Sequence, residues 1–313
     1  MPDAQSTSHV LMIRPVRFAG NEQTAVSNRF QRLGATSSTA AIQAAAFAEF
    51  DALANALQAA GVDVHIFEDT PEPHTPDSIF PNNWVSFHAD GTVVLYPMRA
   101  LNRRLERRLD LIEALDLQRG FHVLRTVDLT HREEEEKFLE GTGSLVLDRV
   151  NRVAYACLSP RTDMDVLGEF AQRVDYDIVA FDAFDSSGAP IYHTNVLMSV
   201  GTGFAAVCTE CIEPQRREAV LGMLKASGRN IVLLSMEQMQ GFAGNMLELR
   251  TRSGEHVIAM SEAARSLLDP SQLAMLEHAG GRIVSTAIPT IETLGGGSVR
   301  CMMAEVHLPR RGR

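Results

Sequence analysis

Cysteine is scarce in this chain of 313 residues, which has four, at positions 157, 208, 211 and 301. So few cysteines at irregular spacing do not suggest the disulfide framework of a secreted protein. Cys208 and Cys211 have the spacing of a metal or redox pair. However, no second Cys or His pair lies nearby to complete a zinc site, and Cys208 ends an apolar run instead of opening a helix. We interpret both as structural thiols.

Positive charge is also in short supply, with 29 Lys and Arg against 39 Asp and Glu and a net charge of −10. This balance argues against nucleic acid as a partner, because phosphate binding needs concentrated Lys and Arg. No apolar run approaches the roughly 18 residues that span a membrane. Residues 1–8 lack the charged-then-apolar layout of a signal peptide. We therefore expect a soluble cytoplasmic protein in which residues 1–8 form a disordered tail.

The chain also lacks a linker rich in Pro, Gly or Ser, so we expect one domain over residues 9–309. Apolar spacing and alanine content predict five helices, at about 40–60, 101–117, 163–173, 214–226 and 261–279. The helix starts lie roughly 50 to 60 residues apart, and the gaps hold short strand-like runs. Five such units indicate a closed, quasi-symmetric α/β arrangement. The alternative is a doubly wound sheet, although no G-x-G-x-x-G follows the first strand to support its dinucleotide-binding version.

Two segments offer the parts of a thiol-based site. Gly295-Gly296-Gly297 lets a ligand approach the backbone closely, and Cys301 follows where a nucleophile could meet that ligand. A single cysteine is more often an inert buried thiol. His193, just before a predicted strand, could serve as general acid and base near neutral pH. Taken alone, it would more often be a structural histidine.

Three further segments carry charge or amides. Asp77 opens a polar run that includes Asn82 and Asn83, which could equally be a turn. Glu140 lies beside glycines at the entry to a strand. Because an acidic run precedes it, Glu140 could alternatively be a solvated surface residue. Arg161 lies just ahead of the third helix. An arginine there could hold a substrate carboxylate through two parallel hydrogen bonds.

In this order, the motifs resemble those of the pentein or guanidine-modifying superfamily. That group includes arginine deiminases, dimethylarginine dimethylaminohydrolases and amidinotransferases. The resemblance runs from about Asp77 to Met303, and the layout is most similar to that of the citrulline utilisation hydrolases. It implies an α/β propeller of five pseudo-symmetric units (the pentein fold). It also implies a small guanidino or ureido amino acid as ligand, and no metal or organic cofactor. The oligomeric state stays open.

The resemblance also implies catalytic roles. Cys301 matches the family's nucleophile and His193 its general acid and base. Glu140, in Glu-Gly-Thr-Gly, matches the acidic residue that holds this histidine. An alternative interpretation is a non-catalytic binding protein with the same fold, but such a protein would not be expected to have all three residues.

At the substrate's amino-acid end, the resemblance implies a second set of residues. Arg161 and Arg103 match arginines that bind the substrate's carboxylate, with Arg104 as an alternative to Arg103. Asp77, in Asp-Ser-Ile-Phe, matches a carboxylate that helps to hold the same end of the substrate.

The sequence departs from the arginine-acting relatives at three positions, where Asn82, Asn83 and Asn195 replace carboxylates that clamp the guanidinium. A guanidinium stays charged at physiological pH and needs such partners, and an uncompensated buried carboxylate is costly. An amide both donates and accepts, so it can pair with a neutral ureido group. We therefore expect hydrolysis of citrulline to ornithine, ammonia and carbon dioxide. An arginine dihydrolase, a deiminase and an amidinotransferase are the alternatives.

Overall fold

Short β-strands grouped in threes make up the framework of the computed structural model, which describes residues 4–34 and 38–311. In chain order the strands are β1 His9–Arg14, β2 Asp63–Glu68, β3 Val85–Phe87, β4 Thr92–Leu95, β5 Arg125–Asp128, β6 Val146–Asp148, β7 Val153–Leu158, β8 Asp177–Asp182, β9 Met198–Val200, β10 Phe204–Val207, β11 Asn230–Leu233, β12 Leu247–Arg250, β13 His256–Ser261, β14 Arg282–Thr286 and β15 Ala304–Glu305.

The strands form five separate three-stranded sheets with the same internal pattern. In each sheet the middle strand pairs antiparallel with one neighbour and parallel with the other. In the sheet formed by β6, β7 and β8, for example, Tyr155 of β7 lies opposite Val146 of β6 and beside Val179 of β8. The fifth sheet joins β15, β1 and β2, with Val10 opposite Glu305. The last described strand therefore shares a sheet with the first.

A helix crosses over between the two parallel strands of each sheet, as parallel pairing requires. The α-helices are α1 Glu22–Ala25, α2 Thr39–Ala59, α3 Leu109–Leu117, α4 Gly141–Ser144, α5 Met164–Val174, α6 Thr194–Leu197, α7 Pro214–Ala226, α8 Met236–Gln240, α9 Glu262–Leu267, α10 Pro270–Gly280 and α11 Pro289–Gly295. The 3-10 helices are Pro81–Asn83, Leu101–Glu106, Thr130–Glu135, Thr209–Cys211 and Val299–Met302.

The five predicted helices are all present, and two of them are divided. The predicted helix at 261–279 is α9 followed by α10, because Pro270 lacks the N–H that would continue the first helix and instead begins the second. The predicted helix at 101–117 is a 3-10 helix followed by α3. The expectation of a mixed α/β fold with five strand-rich units is thus confirmed.

Apolar clusters join neighbouring sheets into one framework. Helix α2 contributes Phe50 and Leu57, which lie in one cluster with Val10 of its own sheet and Leu249 of the next. The buried positions of α2 recur every three to four residues, as expected for one apolar helix face.

Residues 4–8 differ from the predicted disordered tail. Gln5 is buried, and its Nε2 donates hydrogen bonds to the carbonyl oxygens of Leu147 at 2.9 Å and Val200 at 3.0 Å. Thr7 Oγ1 donates to Val306 O at 2.8 Å. These polar side chains therefore satisfy buried carbonyl groups of the framework. Residues 1–3 of the predicted tail lie outside the described residues.

Within the described ranges, no helix combines the length and the apolar character that crossing a bilayer requires.

Candidate active site

Short helical turns bring the predicted site residues together from distant parts of the sequence. The turns Pro81–Asn83, α4, α6 and Val299–Met302 come directly or within two residues before β3, β6, β9 and β15. Each turn therefore lies at the same end of its sheet, just before the outer strand that pairs antiparallel with the middle strand. Side chains at or just before three of these turns, Asn83, His193 and Cys301, line one cavity, and Glu140 before α4 contacts His193.

Two glycines allow these turns to pack closely. A Cβ atom on Gly141 would lie 2.3 Å from Asn82 O, and Gly141 has a φ of +47°, which favours glycine. A Cβ on Gly143 would lie 2.4 Å from Asn83 Nδ2 and 2.7 Å from the His193 ring. The Glu-Gly-Thr-Gly segment is thus needed for the close approach of these side chains.

The three predicted catalytic residues lie together and are buried. Cys301 and His193 border the same cavity, which is also lined by Gly295, Gly296 and Gly297. His193 Nε2 lies 2.9 Å from Glu140 Oε2. A carboxylate accepts hydrogen bonds, so Nε2 carries the proton and the Nδ1 atom of a neutral His193 is left as an acceptor.

The protonation states of this pair follow from their surroundings. Burial alone would raise the pKa of Glu140, but the Arg161 guanidinium and the His193 hydrogen bond hold it well below its usual range. Burial lowers the pKa of His193 to about 4, against the hydrogen bond and charge of Glu140, which raise it. At neutral pH the site therefore holds an ionised Glu140 and a neutral imidazole.

Arg103 lines the cavity with its guanidinium already bound by protein groups. Its Nε and Nη2 donate to the carboxylate of Glu106 at 3.0 and 2.9 Å, and its Nη1 donates to Asn83 Oδ1 at 2.9 Å. Arg104 instead donates to Met98 O and is not among the described residues that line the cavity. The geometry favours Arg103 over Arg104 as the arginine of this site.

Arg161 ties a second part of the chain to the cavity. Its Nη1 lies 3.2 Å from Glu140 Oε2, and its Nη2 donates to Thr24 O at 3.0 Å and to Ser27 Oγ at 2.9 Å. Its guanidinium also lies 5.0 Å from the centre of the Tyr192 ring. The segment around α1 is thereby fixed beside the predicted catalytic residues.

Asp77 is a buried carboxylate with one oxygen available. Its Oδ2 accepts hydrogen bonds from Asn21 Nδ2 at 2.8 Å and Thr24 Oγ1 at 3.2 Å. Its Oδ1 is buried and has no hydrogen-bond partner among the described residues. Burial raises the pKa of Asp77, against the opposing charge of Arg103. Since Asp77 lines the cavity, a cationic group of a ligand could satisfy it.

Asn82, Asn83 and Asn195, which the resemblance predicts to stand in place of carboxylates, have different surroundings. Both side-chain amide atoms of Asn82, and Nδ2 of Asn83, are buried without a hydrogen-bond partner among the described residues. Asn83 lines the cavity. Asn195 Nδ2 donates to Thr142 O at 3.2 Å and lies 3.5 Å from Cys301 Sγ. The structure thus brings Asn195 to the sulfur itself.

Sequence reasoning missed other residues beside Cys301 or at the cavity. Asn245 Nδ2 lies 3.3 Å from Cys301 Sγ, and Tyr192 Oη donates to Gly296 O at 2.5 Å. Asn28 Nδ2 donates to the same carbonyl at 3.0 Å. One signal could have indicated Asn245: like Asn195, it comes just before the first strand of a sheet. Asn28 lies in a polar stretch that carries no comparable signal.

The remaining cysteines lie elsewhere. Cys208 and Cys211 belong to a large apolar cluster, and Cys211 Sγ donates to Cys208 O at 2.8 Å. Neither is among the described residues that line the cavity.

Solved structures similar to this fold are enzymes that act on guanidino compounds. Apo ArgZ, an arginine dihydrolase from the ornithine-ammonia cycle in cyanobacteria, gives a TM-score of 0.74 at 19% identity, covering 96% of this chain. This chain spans only 41% of that ArgZ chain, but 98% of the substrate-bound N-terminal domain of ArgZ, with a TM-score of 0.73 at 18% identity. A dimethylarginine dimethylaminohydrolase in an adduct with S-methyl-L-thiocitrulline gives 0.63 at 15% identity, covering 96% of this chain and 99% of that one.

Sequence comparison extends this likeness. No curated protein matches the chain. The model of one family, N,N dimethylarginine dimethylhydrolase, eukaryotic, matches residues 14–308. The match includes every residue that the sequence predicts for the site. The chain therefore belongs to the N,N dimethylarginine dimethylhydrolase family, a family of hydrolases within the pentein superfamily of guanidine-modifying enzymes.

Proposed function

We propose that this protein hydrolyses a C–N bond of a ureido or guanidino amino acid, with Cys301 as nucleophile and citrulline as the favoured substrate. The observation that carries the proposal is the composition of the cavity. Cys301, His193 and Asn83 border it together, and the amide of Asn195 lies 3.5 Å from Cys301 Sγ.

The electrostatics of the site support a neutral reacting group. The Glu140 carboxylate is already engaged by His193 and Arg161. The Asn83 Nδ2 donor is buried and has no partner in the described part of the chain, so it could donate to a ureido oxygen. A guanidinium has no acceptor lone pair to offer that donor. A ureido group therefore matches the unsatisfied amide better than a guanidinium does.

In the first half of the reaction, neutral His193 takes the proton of Cys301, and the thiolate attacks the ureido carbon. As the S–C bond forms, the bond from that carbon to the departing nitrogen breaks and its electron pair stays on the nitrogen. His193 returns its proton to this nitrogen. Glu140 stabilises the transient imidazolium and holds the ring in position.

In the second half, the same histidine removes a proton from water, and the resulting hydroxide cleaves the S–C bond. The sulfur leaves as the thiolate. The product carbamate takes up the proton held by His193 on its nitrogen and loses carbon dioxide, which leaves His193 neutral again. Citrulline and one water thus give ornithine, ammonia and carbon dioxide. The residues named here carry out these steps without an organic cofactor.

The two ends of an amino acid find opposite charges at the other side of the cavity. We propose that the free Oδ1 of Asp77 accepts hydrogen bonds from the substrate's α-ammonium group. Arg103 and Arg161 supply positive charge for its carboxylate. At Arg161 the carboxylate would compete with Ser27 Oγ for the guanidinium.

At the level of the fold, we propose that the five sheets form a pseudo-symmetric propeller and that residues 9–309 are one catalytic domain. The identical pairing pattern of the sheets and the pairing of β15 with β1 support this arrangement.

Arginine dihydrolysis is a second candidate, favoured by Asp77 Oδ1, which has no partner within residues 4–34 and 38–311 and could also accept from a guanidinium. The fold is shared with ArgZ, an arginine dihydrolase, and with AgrE, solved in complex with L-arginine. An amide-lined cavity could accept both arginine and the ureido product of its first hydrolysis.

The test supplies citrulline and arginine separately and follows ornithine, ammonia and citrulline. Cys301→Ala is the inactive variant, and Cys157→Ala, which alters a buried thiol outside the cavity, is the matched control. Ornithine with one ammonia from citrulline supports the proposal. Two ammonia per arginine would instead identify a dihydrolase, and citrulline accumulating from arginine would contradict the argument from the asparagines. Transfer of the carbon group to an added amine would identify a transferase.

A further inference from the structure

Asn245 contacts the proposed nucleophile from a part of the chain without any predicted role. Its Nδ2 lies 3.3 Å from Cys301 Sγ, and the residue is fully buried. It directly follows Gly244, where a Cβ would lie 2.4 Å from Val196 O. The glycine thus allows the asparagine to approach the turn that holds Asn195.

The orientation of the Asn245 amide is fixed by two backbone groups. Its Oδ1 accepts from the N–H of Arg300 at 3.1 Å, and its Nδ2 donates to Asn195 O at 3.0 Å. A backbone N–H only donates and a carbonyl only accepts, so turning the amide over would break both bonds. Of the two N–H bonds on Nδ2, one is used by Asn195 O. The other is available to Cys301 Sγ.

A second amide reaches the same sulfur. Asn195 Nδ2 lies 3.5 Å from Cys301 Sγ and is oriented by its hydrogen bond to Thr142 O at 3.2 Å. Within residues 4–34 and 38–311, these two asparagines are the side-chain partners of Cys301 Sγ: their Nδ2 atoms donate to it, and the thiol can donate to their Oδ1 atoms at 3.8 and 3.7 Å. Both donors are held by carbonyl groups of neighbouring turns, so their geometry exists before a substrate binds.

We propose that Asn245 is a catalytic residue that stabilises the thiolate form of Cys301 by donating a hydrogen bond to Sγ, with Asn195 as the second donor. A hydrogen bond to an ionised acceptor is stronger than one to a neutral thiol, so a fixed donor favours the thiolate. The proton lost from sulfur passes to His193. This inference rests on the proposed function in that it takes Cys301 as the nucleophile.

The test measures the rate at which iodoacetamide alkylates Cys301, by mass spectrometry of the peptide that contains it, over a range of about pH 5 to 10. In Asn245→Ala we expect alkylation at neutral pH to be about tenfold slower and to reach half-maximum at higher pH. In Asn245→Asp the decrease should be larger, because a carboxylate repels the thiolate.

The matched control is Asn230→Ala. Asn230 also donates to a backbone carbonyl, Gly203 O at 3.2 Å, but it is exposed and lies outside the cavity. Its alkylation profile should equal that of the wild type. If Asn245→Ala does not fold, Asn245→Asp decides, because it keeps the volume of the side chain and the acceptor for the Arg300 N–H.

An unchanged alkylation profile in a folded Asn245 variant, judged by its circular dichroism, would overturn the inference. The readout needs no substrate, so it is separate from the proposed function. Wild-type Cys301 that is alkylated readily, with the expected loss in the Asn245 variants, would support the inference even if neither citrulline nor arginine were hydrolysed. The lack of hydrolysis of both compounds would contradict only the proposed function.

Discussion

At the scale of single residues, the site depends on a histidine kept neutral beside a carboxylate kept ionised. Burial lowers the pKa of His193 to about 4, while arginine and imidazole partners hold the pKa of Glu140 well below its usual range. A neutral imidazole can take the proton of Cys301 at neutral pH, and the nearby carboxylate stabilises it once it is charged. The proposed thiol chemistry follows from this pairing.

The lowered pKa of His193 makes folding pH-dependent. Between about pH 6.5 and 4 the unfolded chain binds a proton at this histidine and the folded one does not, so stability falls as the pH is lowered through this window. The lowering of the His193 pKa from 6.5 to about 4 corresponds to about 3 kcal/mol in the free energy of unfolding. We expect urea unfolding of His193→Gln to show a smaller loss of stability than the wild type between pH 6.5 and 4.

The matched control is His278→Gln, which changes an exposed histidine on α10. Its dependence of stability on pH should follow that of the wild type. If His193→Gln loses as much stability as the wild type over the same range, His193 is not kept neutral by burial.

Single residues also show the limits of sequence reasoning. Cys301, His193 and Glu140 could be proposed because their flanking motifs resemble those of a known superfamily. Asn245 had only its place ahead of a strand as a signal, because an asparagine between glycine and methionine also fits a turn and its contact with Cys301 joins positions 56 residues apart. The sequence predicted that Arg103 binds the substrate's carboxylate, but it did not indicate that Glu106, three residues later in the same turn, also binds its guanidinium.

At the scale of elements, the geometry of the site comes from short turns that precede strands. Long helices were predictable because their apolar residues recur over many turns, as in α2 and α5. The strands β3, β12 and β15 have only two to four residues, too few to show a period, and no predicted strand-like run covers them. These same short elements support the turns that hold the site, so its detailed geometry could not be predicted.

Gly143 tests the need for close contact between the turns. In Gly143→Ala the new Cβ would lie 2.4 Å from Asn83 Nδ2 and 2.7 Å from the His193 ring. We expect a loss of stability of about 1 to 3 kcal/mol from overpacking. Because His193 itself must move, we also expect a decrease in kcat of at least about tenfold. Thermal unfolding and steady-state kinetics measure the two effects.

Gly168→Ala is the matched control, since a Cβ at this position in α5 meets no atom within 4 Å. Alanine is favoured over glycine inside a helix, so this variant should be unchanged or more stable by up to about 1 kcal/mol. If Gly143→Ala keeps the kcat of the wild type, the reaction does not require these turns to pack this closely.

At the scale of the whole molecule, the pairing of β15 with β1 joins the last described strand to the first. Glu305 in β15 is buried, and its carboxylate lies 3.0 Å from Arg300 Nη2 and 3.6 Å from Arg149 Nη2. Burial would raise the pKa of Glu305, but these two arginines hold it well below its usual range. This ion group connects the closing strand to the turn that carries Cys301.

Glu305→Ala should therefore destabilise the whole fold. Removing one member of a buried ion group leaves charge uncompensated, and we expect a loss of about 3 to 5 kcal/mol in the free energy of unfolding, measured with urea. Glu255→Ala, which removes an exposed carboxylate, should change it by less than about 0.5 kcal/mol. Equal stability of the two variants would mean that the closing strand does not depend on this group.

The central claim, a cysteine-dependent hydrolase that prefers a ureido substrate, is tested most directly by the ratio of kcat/KM for citrulline to kcat/KM for arginine. The amides at Asn83 and Asn195 predict a ratio above one, with ornithine as product and no turnover by Cys301→Ala. A ratio below one, with citrulline accumulating from arginine, would contradict the account.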